Sequence, residues 1–145
     1  MSESTTLLTS LVQTTIDSAE GYERAAEHAK AAELKQVLRD QAARRRQLVN
    51  DLNTELVRLG GERQERGTTS GAAHRIWTQV STAFKDNDEA AAERVEEGED
   101  YLEKKFREAL DRSDWEPATL RVLQQAHAQV KEGERLTDRL EDRYD

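Results

Sequence analysis

Residues 33–61 read ELKQVLRDQAARRRQLVNDLNTELVRLGG, and the architecture follows from how this segment folds. Leu34, Leu38, Gln41, Arg45, Leu48, Leu52 and Leu59 fall at helical intervals, so they share one face of a long α-helix. The stripe is apolar at both ends and polar in the middle. A second stripe behaves alike: Leu120, Leu123, His127, Val130, Glu134, Thr137 and Leu140. Polar groups in mid-stripe sit near the centre of a helical bundle, where they are costly unless paired. Bundles that bind metals place their ligands there.

Composition agrees with long helices. Of 145 residues, 35% are hydrophobic and 36% charged, with one proline and seven glycines. That balance suits narrow apolar seams rather than a thick sheet core, and the helix breakers are few. The length fits one domain, read as 1–145 with residues 1–5 as a flexible N-terminus. Without cysteine there is no disulfide, thiolate metal site or cysteine nucleophile. The start, Met1 to Thr6, lacks the basic and apolar regions of a signal peptide. No stretch approaches the roughly 18 apolar residues that cross a bilayer. A bacterial cytoplasm is the expected location, with no membrane partner.

The net charge of −8 makes nucleic acid a poor partner. The charge is uneven: residues 86–116 hold 13 acids and 5 bases, residues 31–59 hold 4 acids and 6 bases. Two such segments are expected to complement each other within one fold. An acidic surface over Glu93–Glu103 that docks a basic partner is the other reading.

Periodicity predicts four long helices and a short one. The first runs from about Thr6 to Lys30, and the second from about Ala32 to Leu59, stopped by Gly60-Gly61. A polar loop over 60–70 leads to a short helix from about Gly71 to Lys85. The next runs from about Asp88, which can cap it, to Arg112. Ser113-Asp-Trp-Glu116 has capping-box spacing, Pro117 sits in a first turn, and the last helix reaches about Tyr144. A 14-residue helix climbs about 21 Å. The short helix can therefore carry the chain back along the bundle, giving an all-α, ferritin-like four-helix bundle with an extra helix in the crossover between the second and third long helices. Folding the short helix across the bundle end is the competing layout.

Helical rise tests whether the polar residues share a level. Measured from the first turn, Glu23 lies about 12 Å down, Gln41 about 15 Å and Glu99 about 16 Å, with His127 at about 15–20 Å. Glu23, Gln41, Arg44, Arg45, Glu99 and His127 thus form one slab, with Glu20, Glu96 and Glu134 at its edge. Glu23, Glu99 and His127 are the candidate ligands of an iron or manganese ion. A di-iron bundle, however, needs Glu-x-x-His on two helices, and this chain has none. The nearest matches are Gln41-Ala-Ala-Arg44 and Gln124-Gln-Ala-His127. Arginine supplies the positive charge that a metal would bring and can fork onto carboxylates. The expected layer is therefore a cofactor-free network of Glu23, Gln41, Arg44, Arg45, Glu99, His127 and Glu134.

Three stretches carry a resemblance: LLTSLVQTTIDSAEGYERAAEHA (7–29), residues 33–61, and GAAHRIWTQVSTAFKDNDEAAAERVEEGEDYLEKKFREAL (71–110). Gly21-Tyr22-Glu23, Leu59-Gly60-Gly61, Gly71-Ala-Ala-His74-Arg75-Ile-Trp77 and Gly98-Glu99-Asp100 are its most specific pieces. Together they resemble a bacterial ferritin-like four-helix-bundle family, a domain of unknown function with a Pseudomonas protein as namesake. The resemblance implies a ferritin-like fold and a soluble bacterial protein linked with stress, but no activity. Related sequences tend to carry acids where this chain reads Ala42-Ala43-Arg44-Arg45, a departure that weakens a metal reading.

Among single residues, His74 is read as hydrogen-bonding on the helix surface or at an interface, and His28 as solvent-facing. Tyr22 is read as a core aromatic, and Trp77 and Phe84 as the seal of the crossover helix. The pairs Val37-Leu38, Leu48-Val49 and Leu56-Val57 widen the second helix's apolar face, to receive the crossover helix or to form a homodimer. No P-loop, GxGxxG, HExxH or GxSxG motif occurs. The expected function is non-enzymatic, through self-association in a homo-oligomer or through a protein partner. The alternative is a ferritin-like oxidase or storage protein holding iron or manganese.

Overall fold

The computed structural model describes residues 3–68, 71–112 and 114–144, with side chains for all of these except residues 81, 85 and 137–144. Among the described residues five helices follow one another: α1 Glu3–His28, α2 Ala32–Arg58, α3 Ala72–Asp86, α4 Asp88–Leu110 and α5 Pro117–Tyr144. Helix α1 begins earlier than its apolar pattern, so Glu3 to Thr5 are helical rather than a loose N-terminus, and Thr5 is buried. Glu3 in the first turn suits the positive end of the helix dipole.

The ends follow local chemistry. After α2, the Gly61 N–H reaches the Leu56 carbonyl at 2.9 Å and the Gly60 N–H reaches Val57 at 3.0 Å. Gly60 takes φ +92°, the left-handed turn that the Gly60-Gly61 pair predicts. The cap of α4 is Asn87, not Asp88: the Asn87 side chain accepts from the Ala90 N–H at 2.7 Å. Asp88 works elsewhere. Its carboxylate accepts the N–H groups of Lys30 (3.1 Å) and Ala31 (3.0 Å), at the start of α2 where no side chain caps locally. The capping-box reading before α5 includes Ser113, which lies outside the described residues. Pro117 opens α5, and the Glu116 carbonyl accepts the Leu120 N–H.

These contacts fix the path of the chain. Helices α1 and α2 form a tight antiparallel hairpin. The loop after α2 then climbs back along α1. The Asn53 side chain holds the Gln64 backbone by both its N–H and its carbonyl, Gln13 bonds the Gln64 side chain, and Asp17 holds Thr68. Helix α3 completes the climb, packed on α1 and α4 and not on α2. So the paired apolar positions of α2 do not receive the crossover helix. Val49 turns into the core, while Val57, at 52% exposure, is the one large hydrophobic well exposed among the described residues.

Helix α4 starts beside the α1–α2 turn and runs parallel to α2. Helix α5 returns antiparallel to α4, its first turn meeting the end of α2 through Arg58 and Thr119. Each long helix packs against two others, leaving α1/α5 and α2/α4 across the diagonals.

The core divides into two apolar clusters. One, far from the α1–α2 turn, joins Leu8, Ile16, Leu52, Phe106, Leu123 and Val130. The other, near the turn, joins Ala25, Leu38, Trp77, Val80, Phe84 and Val95. Helix α3 supplies the inner aromatic wall of the second. Trp77 lies where added Cβ atoms on Gly21 and Gly98 would collide with its indole, so two glycines on neighbouring helices shape its slot. No helix among the described residues is long and apolar enough to cross a membrane.

Candidate functional site: a buried polar layer

Between the two clusters lies a polar layer. Helical spacing brings Ser18 and Tyr22 inward from α1, and Gln41 and Arg45 inward from α2. Glu99 enters from α4 between Val95 and Leu102. All five are buried, with Arg45 at 2% exposure and Glu99 at 0%. Arg45 Nη2 donates to Glu99 Oε2 in a short ion pair that spans the α2/α4 diagonal. Gly133 of α5 makes room for it: a Cβ there would sit 2.7 Å from Glu99 Oε2 and collide with Arg45 Nη2. The Tyr22 ring lies 5.9 Å from the guanidinium carbon and 5.0 Å from the Trp77 ring.

The electrostatics are those of a dry, charged interior. Burial pushes the Glu99 carboxyl above its ordinary range, and the Arg45 charge only partly pulls it back. Burial also pushes the Tyr22 hydroxyl well up, with the Glu99 charge adding to it. Burial opposes the charge on Arg45, yet Glu99 and Tyr22 more than offset it, so the guanidinium stays firmly protonated. The layer is only half satisfied. Ser18 Oγ and Gln41 Nε2 have no hydrogen-bond partner among the described residues, and Tyr22 Oη, Arg45 Nε and Glu99 Oε1 make no well-formed bond, although the Tyr22 hydroxyl stands close enough to interact with both Arg45 and Glu99. Such open donors and acceptors suit bound water or a small polar ligand.

Arg45 and Gln41 also line a cavity of about 320 Å³ between α2 and α5, together with Arg44, Gln129 and Glu132. It adjoins a groove of about 510 Å³ that shares Gln41, Arg44 and Glu132 and reaches Arg135 and Val37. The layer therefore has a route to the surface.

The remaining residues of the expected layer lie elsewhere. Glu23 is a surface residue with 45% side-chain exposure, forked onto Arg46 at 3.0 and 2.7 Å. It follows Tyr22 by one position, which turns it about 100° away from the core. Arg44 is exposed by the same rotation relative to Arg45. His127 is half-buried; its Nε2 meets Glu103 Oε2 at 2.8 Å and its ring stacks on Phe106. Glu134 and Glu96 are half-buried, and Glu20 pairs with Arg24 at 3.1 Å. Glu23, Glu99 and His127 thus have three separate partners. Among the described residues no group of three His, Asp or Glu is placed to hold a metal ion. His28 and His74 are exposed.

Sequence reasoning missed Gly133 and Asp17. A glycine on an otherwise regular helical stripe signals close approach, but not to what. Asp17 is buried on α1, and its carboxylate holds both the N–H and the hydroxyl of Thr68. An acid on an apolar face was the available signal.

Fold and layer together define an all-α protein with a buried ion pair at its centre. The chain belongs to the family described as Domain of unknown function (DUF2383), which matches residues 3–112. That span covers α1 to α4 and so contains Tyr22, Gln41, Arg45, Trp77 and Glu99, while Gly133 and His127 lie beyond it. A comparison with curated proteins finds no match.

Proposed function

We propose that this protein is a ferritin-type four-helix bundle of the bacterial cytoplasm that acts without catalysis, by binding a partner or itself, in a stress-related role. The up, down, down, up order of its long helices, with α3 in the crossover, supports the ferritin-type reading. One observation carries the non-metal reading: the Arg45 guanidinium sits on the buried Glu99 carboxylate. A permanent cation occupies the place where a di-metal bundle needs a metal, and it leaves little charge to attract one.

The test is elemental analysis of protein purified from cells grown with iron and manganese. Well under one metal per chain is expected, with no gain on adding either ion. One tightly held ion per chain, lost in Glu99→Gln, would overturn the reading and restore the iron or manganese alternative.

A further inference from the structure

We propose that the cavity between α2 and α5 is a binding site for a small oxyanion, of the carboxylate or phosphate class. Two side chains that line it, Gln41 and Arg45, are each only 2% exposed, and each carries an N–H without a well-formed bond among the described residues, Nε2 and Nε respectively. A buried donor without an acceptor costs free energy that a bound acceptor recovers. Arg44, exposed at the rim, adds a guanidinium that pairs with no acid among the described residues. Arg135 adds another along the adjoining groove, where it faces solvent together with one further acid, Asp40. Glu132 is the one acid among the described residues lining the inner cavity, and it is exposed to solvent, where its repulsion is screened.

The geometry favours an anion over a cation. Glu99, the buried acid of the layer, already carries Arg45 on one oxygen. Arg44 presents its guanidinium at the rim, and guanidinium groups bind planar or tetrahedral oxyanions through paired hydrogen bonds. The volume, about 320 Å³, admits a small ligand with accompanying water and is too small for a peptide segment. This site goes beyond the proposed function and stands or falls apart from metal content.

The test is titration of the intact protein with inorganic phosphate and, separately, with acetate, each against sodium chloride at matched ionic strength. Calorimetry and the side-chain amide NMR signal of Gln41 are the readouts. Saturable binding by one or both, with a shift of the Gln41 amide, is expected. Arg44→Ala and Gln41→Leu should each weaken it about tenfold, the loss of one charge-assisted or buried hydrogen bond. Arg46→Ala removes the same charge from the neighbouring surface position and should leave binding unchanged. Because Gln41→Leu alters the core, circular dichroism must show it folded; if it is not, Arg44→Ala at the exposed rim decides. Equal weakening by Arg44→Ala and Arg46→Ala, or equal effects of chloride, would overturn the proposal. Phosphate binding without acetate binding, or the reverse, assigns the class.

Discussion

Arg45 and Glu99 illustrate how one residue's surroundings set its energy. Each would be prohibitively costly alone in the core, and together they are tolerated. Removing one partner leaves the other charge stranded. Arg45→Met is therefore expected to lower stability by about 3–5 kcal/mol, while combining Arg45→Met with Glu99→Leu recovers most of the loss. Urea unfolding of the single and double variants checks this. A second residue-scale expectation concerns Gly133. Alanine is ordinarily better than glycine in a helix by about 1 kcal/mol. Here its Cβ would collide with Arg45, so Gly133→Ala is expected to destabilise, as a thermal melt can read. Asp17 supplies a pH dependence. Burial raises its pKa above 3.8, against the hydrogen bonds from Thr68. The folded state then holds a proton that the unfolded chain has released. The stability from that proton is present below the ordinary aspartate pKa and is lost as pH rises through the raised value. Asp17→Asn should flatten the fall of unfolding free energy with pH across that window.

At the scale of elements, α3 depends on two glycines that are not its own. Trp77 lies 3% exposed in the slot made by Gly21 and Gly98, with Val80 and Phe84 continuing the apolar wall. Trp77→Ala should cost about 3–5 kcal/mol, read by chemical unfolding. The α1–α2 turn depends on α4 in the same way, since Asp88 satisfies two of its backbone N–H groups. Elements were legible in the sequence because period and caps are local. Gly60-Gly61 and Pro117 mark ends by backbone geometry alone. The exchange of roles between Asn87 and Asp88 was not legible. Either residue can cap a helix, and the choice fell to Asn87 because Asp88 reaches backbone groups 57 and 58 positions earlier.

At the scale of the molecule, charge complementarity between the basic segment 31–59 and the acidic segment 86–116 is realised at two points among the described residues, Arg45 with Glu99 between α2 and α4, and Arg58 with Glu116. Helices α2 and α4 lie across a diagonal. Other ion pairs of α4 form along its own surface, at Arg94–Glu97 and Lys105–Glu108, or with His127, and such pairs add little each. Helix α5 is a full member of the core even though the family match stops at residue 112. It supplies Leu123, Ala126 and Val130 to the far cluster and Gly133 to the polar layer. A chain ending at residue 112 is therefore expected to lose its cooperative unfolding transition and the fixed near-UV signal of Trp77. Retention of both would show that α1 to α4 form a complete core.

Periodicity and capping were enough to establish that the chain is helical, where its helices start and stop within a few residues, and that its stripes turn polar at mid-length. Those properties are local and need no knowledge of neighbours. Depth along a helix was likewise computable, so Gln41, Arg45 and Glu99 were placed at one level. Direction around the helix was legible for Tyr22, Gln41 and Arg45, which lie on apolar stripes, but the slab counted by rise alone also admitted Glu23 and Arg44 from the outer faces. Packing settled the partners: Arg45 meets Glu99, Glu23 turns out to Arg46, and His127 answers to Glu103. It also settled that α3 lies on α1 and α4, since contact between helices is what fixes the face each one buries.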